Sequence, residues 1–217
     1  MGPARAATAA EALADEGCTL LVSFGTAGAL DASLASGDLL LTTRHPGATA
    51  RNTGDAAQAA DEAWPGSAAT AALIDALAAS AQAALPGVRI LRQAELLTLS
   101  EVVEDDTTRR SLARQSSAVA VDMESAAIAA VARRRGIGFL AVRTIVDTVS
   151  APLPPGLAHH VDPWGRPRAT LALALLCQPT RLLALLSLAR RMATARRSLM
   201  ACARNLLRTD ISTATAA

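Results

Sequence analysis

The chain has 217 residues, 51% hydrophobic and 18% charged, which suffices for one domain with a real core and excludes global disorder. Its net charge of +2 is too small to argue for nucleic acid. All 21 basic residues are arginine, so no lysine is present as a Schiff base or general base. Aromatic content is 2%, with no tyrosine, so alanine, leucine and valine must fill the core. Cys18, Cys177 and Cys202 are odd in number and lack metal-like spacing, which suits a reducing compartment and ordinary packing. The N-terminus has no charged-then-apolar secretion pattern, and Ala6 stands where a myristoylation signal needs Ser or Thr. A cytoplasmic location is the expectation.

Ala4 to Glu16 reads as an alanine-rich helix stopped by Gly17. Thr19 to Phe24 is a buried strand by length and residue type, and Gly25-Thr26-Ala27-Gly28 then reads as a tight turn. Gly37-Asp38 introduces a strand over Leu39 to Thr43. His45 to Gly66 reads as a loop with a helical piece, Ala68 to Leu85 as a helix closed by Pro86-Gly87, and Val88 to Leu99 as one or two strands. The charged run Glu104 to Arg110 begins an exposed helix ending near Ala113. Ala118 to Val121 is a strand, Glu124 to Arg135 a helix and Gly138 to Val146 a strand. Ala151 to Gly156 carries three prolines and reads as a loop, and leucine-rich helical pieces broken at Pro179 follow. This alternation predicts an α/β fold, three layers αβα, around a mixed and mostly parallel sheet.

Val121-Asp122-Met123-Glu124 and Phe139-Leu140-Ala141-Val142-Arg143-Thr144-Ile145-Val146-Asp147 are short, largely apolar runs that end at acids. A carboxylate is costly inside a strand buried on both faces, so each acid belongs where its strand leaves the core. Ligands bind at the carboxyl ends of such strands. Glu124 opens a helix, where it serves either as a dipole partner or as an acceptor for a diol, with Met123 against the sugar. Asp147 either caps the following turn or is a desolvated acid that holds a proton near neutrality. Arg143, four residues earlier on the same strand face, needs an anionic partner, structural or functional. Gly25 to Gly28 either makes a plain strand exit or brings backbone N–H groups and the Thr26 hydroxyl to an anion.

Ser23-Phe24-Gly25-Thr26-Ala27-Gly28-Ala29-Leu30, Gly37-Asp38-Leu39, Val121-Asp122-Met123-Glu124-Ser125-Ala126-Ala127 and Arg143-Thr144-Ile145-Val146-Asp147 occur in that order. Together they resemble the purine nucleoside phosphorylase and methylthioadenosine nucleosidase superfamily, over about residues 5 to 150. The Glu95-Leu96-Leu97-Thr98 region and the tail around Gly165-Arg166-Pro167 and Pro179 are most similar to the hopanoid-associated phosphorylases. The resemblance implies that Asp147 protonates the purine at N7, that Glu124 and Met123 hold the ribose, and that Gly25, Thr26, Ala27 and Gly28 position phosphate or water. It implies that Arg143 supports that nucleophile or another active-site carboxylate. Val102, Val103 and Val146 fall where the family lines its base pocket, with Val146 standing where many nucleosidases have Ser. No metal or organic cofactor is implied, and inorganic phosphate enters only as a co-substrate.

The family's earlier strand–helix unit, with a glycine-rich phosphate loop or a water-activating acid, has no counterpart before Met1, and Met1-Gly2-Pro3 looks like the interior of a family member. A shortened chain is therefore the expectation. The implied activity is cleavage of the N-glycosidic bond of an adenosyl compound, adenosylhopane first and methylthioadenosine or adenosylhomocysteine second. A nucleoside-binding domain without activity is the remaining alternative. The implied partners are a small or lipid-linked nucleoside and further copies of the chain in a homo-oligomer, with no nucleic acid. Leu171 to Leu188 is interrupted at Pro179 and Arg181, too soon for a membrane span. Thr180 to Leu207 reads as a basic helix with Arg181, Arg190, Arg191, Arg196, Arg197 and Arg204 exposed. It either packs on the domain or a dimer interface, the favoured reading, or makes a peripheral contact at the inner face of the membrane.

Overall fold

The computed structural model describes residues 2–44, 67–103, 105–151 and 180–207. The expected loop over His45–Gly66, most of the proline-containing loop and the Trp164 to Pro179 stretch lie outside these residues. Helix α1 is Pro3–Asp15, followed by strands β1 (Leu20–Ala29) and β2 (Leu39–Thr42). Helix α2 is Ser67–Ala84, followed by β3 (Ile90–Arg92) and β4 (Leu96–Thr98). Then come α3 (Asp106–Gln115), β5 (Ala120–Asp122), α4 (Ser125–Arg135), β6 (Gly138–Asp147) and α5 (Thr180–Leu206).

The six strands form one sheet in the order β3-β2-β6-β1-β5-β4. Neighbours β1/β6, β2/β3 and β4/β5 run parallel, while β1/β5 and β2/β6 run antiparallel. The sheet is mixed and mostly parallel, as its residues predict.

Strand β6 is buried along its whole length, which accounts for its near-continuous apolar run. Alternate side chains leave opposite faces of a strand. Phe139, Ala141 and Ile145 therefore join Ala10 of α1 and Ala129, Val131 and Ala132 of α4 in one core. Leu140 and Val142 join Leu73, Ile74 and Leu77 of α2 and Cys202 of α5 in the other. These two cores define the three layers. Fully burying one such Leu or Ile side chain contributes about 1.5–3 kcal/mol. A third cluster, with Leu30, Leu97, Val103, Leu112 and Val121, seats α3.

Local chemistry sets the element ends. Asp105 caps α3 by accepting from the Thr108 N–H at 2.7 Å, a contact type worth about 1 kcal/mol. Gly136 ends α4 in the left-handed conformation at φ 65°. The Asp38 carboxylate accepts from the N–H groups of Ala35 and Arg89, at 2.8 and 3.0 Å, and so ties the β2 entry to that of β3. At Gly37 a Cβ would lie 2.7 Å from Thr194 Cγ2, so glycine lets α5 come close.

One expected turn is strand. Gly25, Thr26, Ala27 and Gly28 continue β1, in register with β6 from Gly25↔Arg143 to Gly28↔Asp147, with an irregularity between Ala27 and Gly28. The pairing with β6 overrides the turn preference of the glycines. The basic helix forms as α5 and packs on the domain through Ala195, Ser198 and Cys202. Arg190, Arg196, Arg197 and Arg204 are exposed, but Arg191 is half-buried and donates to the Ala151 carbonyl. Among the described residues no helix is long and apolar enough to cross a membrane.

Candidate active site

Both acidic strand ends meet at one rim of the sheet. Thr26, Ala27 and Gly28 of β1, Asp122 of β5, Met123 and Glu124 at the start of α4, and Asp147 of β6 line a hollow of about 220 Å³. Glu101, Val102, Val103 and Arg109 close it from the α3 side. A second hollow of about 450 Å³ shares Thr26 and Glu124 and continues along α1 past Gly25 and Arg143. The second lies within the range of small-molecule sites, roughly 300–1,000 Å³, and the first somewhat below it.

The glycines serve side chains across the β1/β6 pairing. A Cβ at Gly28 would sit 2.7 Å from Asp147 Oδ2, and one at Gly25 would sit 3.2 Å from Arg143 Nη1. Their absence of a side chain gives the two charged groups of β6 room above β1.

Arg143 does not pair with Asp147. Its Nε and Nη2 reach Asp122 Oδ2 at 2.8 and 2.7 Å, and Nη2 also donates to Ser23 Oγ at 2.6 Å and Ser125 Oγ at 3.0 Å. Asp122 Oδ1 accepts from Thr98 Oγ1 at 2.7 Å, and Oδ2 also accepts from the Ser125 N–H. The pair is buried, with side-chain exposures of 3% and 0%. Such a pair persists in a low dielectric because hydrogen bonds satisfy its remaining atoms. It fixes the corner between β5 and α4 from which Met123 and Glu124 enter the hollow.

The cation on Asp147 is Arg109, whose Nη2 donates to Asp147 Oδ2 at 2.6 Å. Arg109 Nη1 donates to the Ala29 carbonyl at 2.6 Å, and Nη2 also reaches the Val103 carbonyl at 3.2 Å. Arg109 is 1% exposed. Helix α3 is otherwise largely exposed, as its charge predicts; Arg109 and Leu112 are its buried residues. Among the described residues no hydrogen bond reaches Asp147 Oδ1, while the side chain retains 10% exposure.

Glu124 holds the N-cap position of α4 but makes no side-chain capping bond, so helix capping does not account for it. Val102 is 41% exposed on the rim, and Val103 is buried between the hollow and the α3 cluster. Val146 is buried and absent from the lining, because its neighbour Asp147 takes the hollow side of β6.

A family model described as the phosphorylase superfamily matches residues 1–175. The chain belongs to the phosphorylase superfamily. Solved structures share the fold. A methylthioadenosine/adenosylhomocysteine nucleosidase from Colwellia psychrerythraea, in complex with adenine, is 24% identical at a TM-score of 0.53, covering 68% of this chain and 62% of that one. A futalosine hydrolase of Helicobacter pylori is 18% identical at a TM-score of 0.52, covering 69% and 64%. A Campylobacter jejuni methylthioadenosine/adenosylhomocysteine nucleosidase is 16% identical at a TM-score of 0.57, covering 93% and 77%. This phosphorylase-superfamily chain thus spans 62–64% of the length of the first two relatives. No curated protein matches it.

Arg109, Asp122, Ser23 and Ser125 are the site residues that sequence reasoning did not assign. The one signal for Arg109 is its spacing from Leu112, which puts both on the buried side of α3.

Proposed function

We propose that the chain cleaves the purine N-glycosidic bond of an adenosyl compound. The observation that carries this reading is the convergence of Thr26, Glu124 and Asp147 on one hollow. Bond cleavage at C1′ builds positive charge on the sugar and negative charge on the departing base. Glu124, on the ribose side with Met123, stabilises the first. Asp147 delivers a proton to purine N7 and so neutralises the second. Thr26 and its backbone neighbours place the attacking water or phosphate opposite the base. Val102 and Val103 pack on the base, and Arg143 acts through Asp122 by holding the β5/α4 corner.

Adenosylhopane is the substrate we favour, on the resemblance of Glu95-Leu96-Leu97-Thr98 to the hopanoid-associated members. Methylthioadenosine is the second reading, because one solved relative holds adenine and another methylthioadenosine. The same proton delivery serves both. A homo-oligomer and a peripheral membrane contact through the arginines of α5 complete the proposal.

The test is adenine release from each substrate by the unaltered chain and by Asp147→Asn. Loss of a general acid lowers turnover by about 10²–10⁴. Undiminished release by Asp147→Asn would sink the mechanism. Turnover of small thio-nucleosides alone would remove the lipid substrate.

A further inference from the structure

A buried arginine with an incompletely satisfied guanidinium is expensive to keep. Arg109 is 1% exposed, and its Nε is buried with no hydrogen-bond partner among the described residues. Each such orphaned donor is destabilising, because it gave up its water without gaining a partner. Replacing a buried ion pair by apolar side chains is often neutral or stabilising. Stability alone is thus a poor reason for this residue. Its geometry suggests a better one. Three ends of chain converge on a single guanidinium: the Ala29 carbonyl at the end of β1, the Val103 carbonyl before α3, and the Asp147 carboxylate at the end of β6. Arg109 itself reaches the hollow wall.

We propose that Arg109 is a positioning residue for Asp147. It occupies Oδ2 at 2.6 Å and sets the plane of the carboxyl group, leaving Oδ1 as the oxygen that carries the proton. The inference rests on the glycosidic-cleavage reading above. In the step itself the Oδ1–H bond breaks and N7–H forms. The C1′–N9 electron pair passes into the base, and water or hydrogen phosphate makes the new bond at C1′, giving up through solvent the proton that restores Asp147. The carboxylate left behind keeps its charge-assisted contact to Arg109, which stabilises it as the proton departs. Because the guanidinium is anchored to two backbone carbonyls, it brings Asp147 to a fixed place and does not follow the carboxylate. Gly28 completes the arrangement by leaving the space beneath the carboxylate open.

The test compares Arg109→Met with the unaltered chain on two substrates, an adenosyl nucleoside and the same nucleoside methylated at N7. The methylated base already carries positive charge and leaves without a proton from Asp147. The expected result is a fall of at least about tenfold on the ordinary nucleoside, with the methylated one kept within about threefold. Arg109→Lys keeps the charge and the stem but not the fork, and is expected to fall between Met and Arg on the ordinary nucleoside. It also serves where Arg109→Met does not fold, as judged by thermal melting. An equal loss on both substrates would overturn the inference and leave a structural role only. Full activity of Arg109→Met on the ordinary nucleoside would overturn it too. Turnover of neither substrate by the unaltered chain would overturn the cleavage reading, and the inference with it.

Discussion

Gly28 and Asp147 are paired across β1 and β6, and the Asp147 carboxylate fills the space that a side chain at residue 28 would occupy. The approach is 2.7 Å from an ideal Cβ to Oδ2. Gly28→Ala must therefore displace the carboxylate or the strand. The expected result is loss of base release by about 10²-fold, since a small misplacement of a reacting group costs that much. Stability should fall by only about 1–3 kcal/mol. Gly136→Ala is the contrasting variant. Its φ of 65° disfavours a side chain but nothing lies within 4 Å, so it should lose about 1–2 kcal/mol with turnover intact. Steady-state assays beside denaturant unfolding decide both.

Arg143→Met is expected to be a stability variant first. It leaves the fully buried Asp122 without its cation, and breaking one side of such a pair costs about 3–5 kcal/mol. Adding Asp122→Asn should recover part of that loss, because the two substitutions remove one shared interaction. Urea unfolding of the two single variants and the double variant gives the coupling. Strict additivity would show that the two side chains do not act as a pair.

Acid should loosen α1 from α4. Hydrogen bonds from Arg134 and Arg135 hold the Glu11 carboxyl below the ordinary glutamate value of 4.5. A depressed carboxyl contributes stability that is complete above its unfolded value and is lost as pH falls through the folded one. Thermal midpoints of the unaltered chain and Glu11→Gln should differ near neutrality and converge as the pH falls below 4.5. Added salt should shrink the difference, since the arginines are exposed. A gap that persists in acid would contradict this.

The two described cysteines should differ in reactivity. Burial pushes the Cys202 thiol up to about 11, so only about one such thiol in a thousand is ionised at pH 8. Cys18 is only half-buried. Iodoacetamide followed by peptide mass analysis should find Cys18 alkylated first, with Cys202 following only on unfolding. Equal rates in the folded chain would show that Cys202 is not packed against α2 and β6.

The sheet and its helices were legible wherever one physical signal dominated. The unbroken apolar run of β6 announces a strand covered on both faces, and Gly37-Asp38 announces the start of β2. The acids at 124 and 147 could be placed at one rim because charge must leave the core at strand ends. Elsewhere tertiary contacts outweighed local preference. The glycines at 25 and 28 read as turn formers, yet β6 holds them extended and uses their missing side chains. Arg109 sits in a charged run that reads as solvated, and only the Leu112 spacing argues otherwise. The partner of Arg143 lies 21 residues away on another strand, a distance that no local pattern encodes.

The hollow joins parts of unequal firmness. Its floor is cut from β1 and β6, ten residues each and side by side in the middle of the sheet. Its walls come from the short β5 and the segment before α3, where Val102 stands open to solvent. Regions with few buried contacts open first, and core strands open last. Amide protons of Thr26 and Ile145 should exchange with deuterium far more slowly than those around Val102 and Met123. A nucleoside held between floor and wall would then announce itself as new protection on the wall alone.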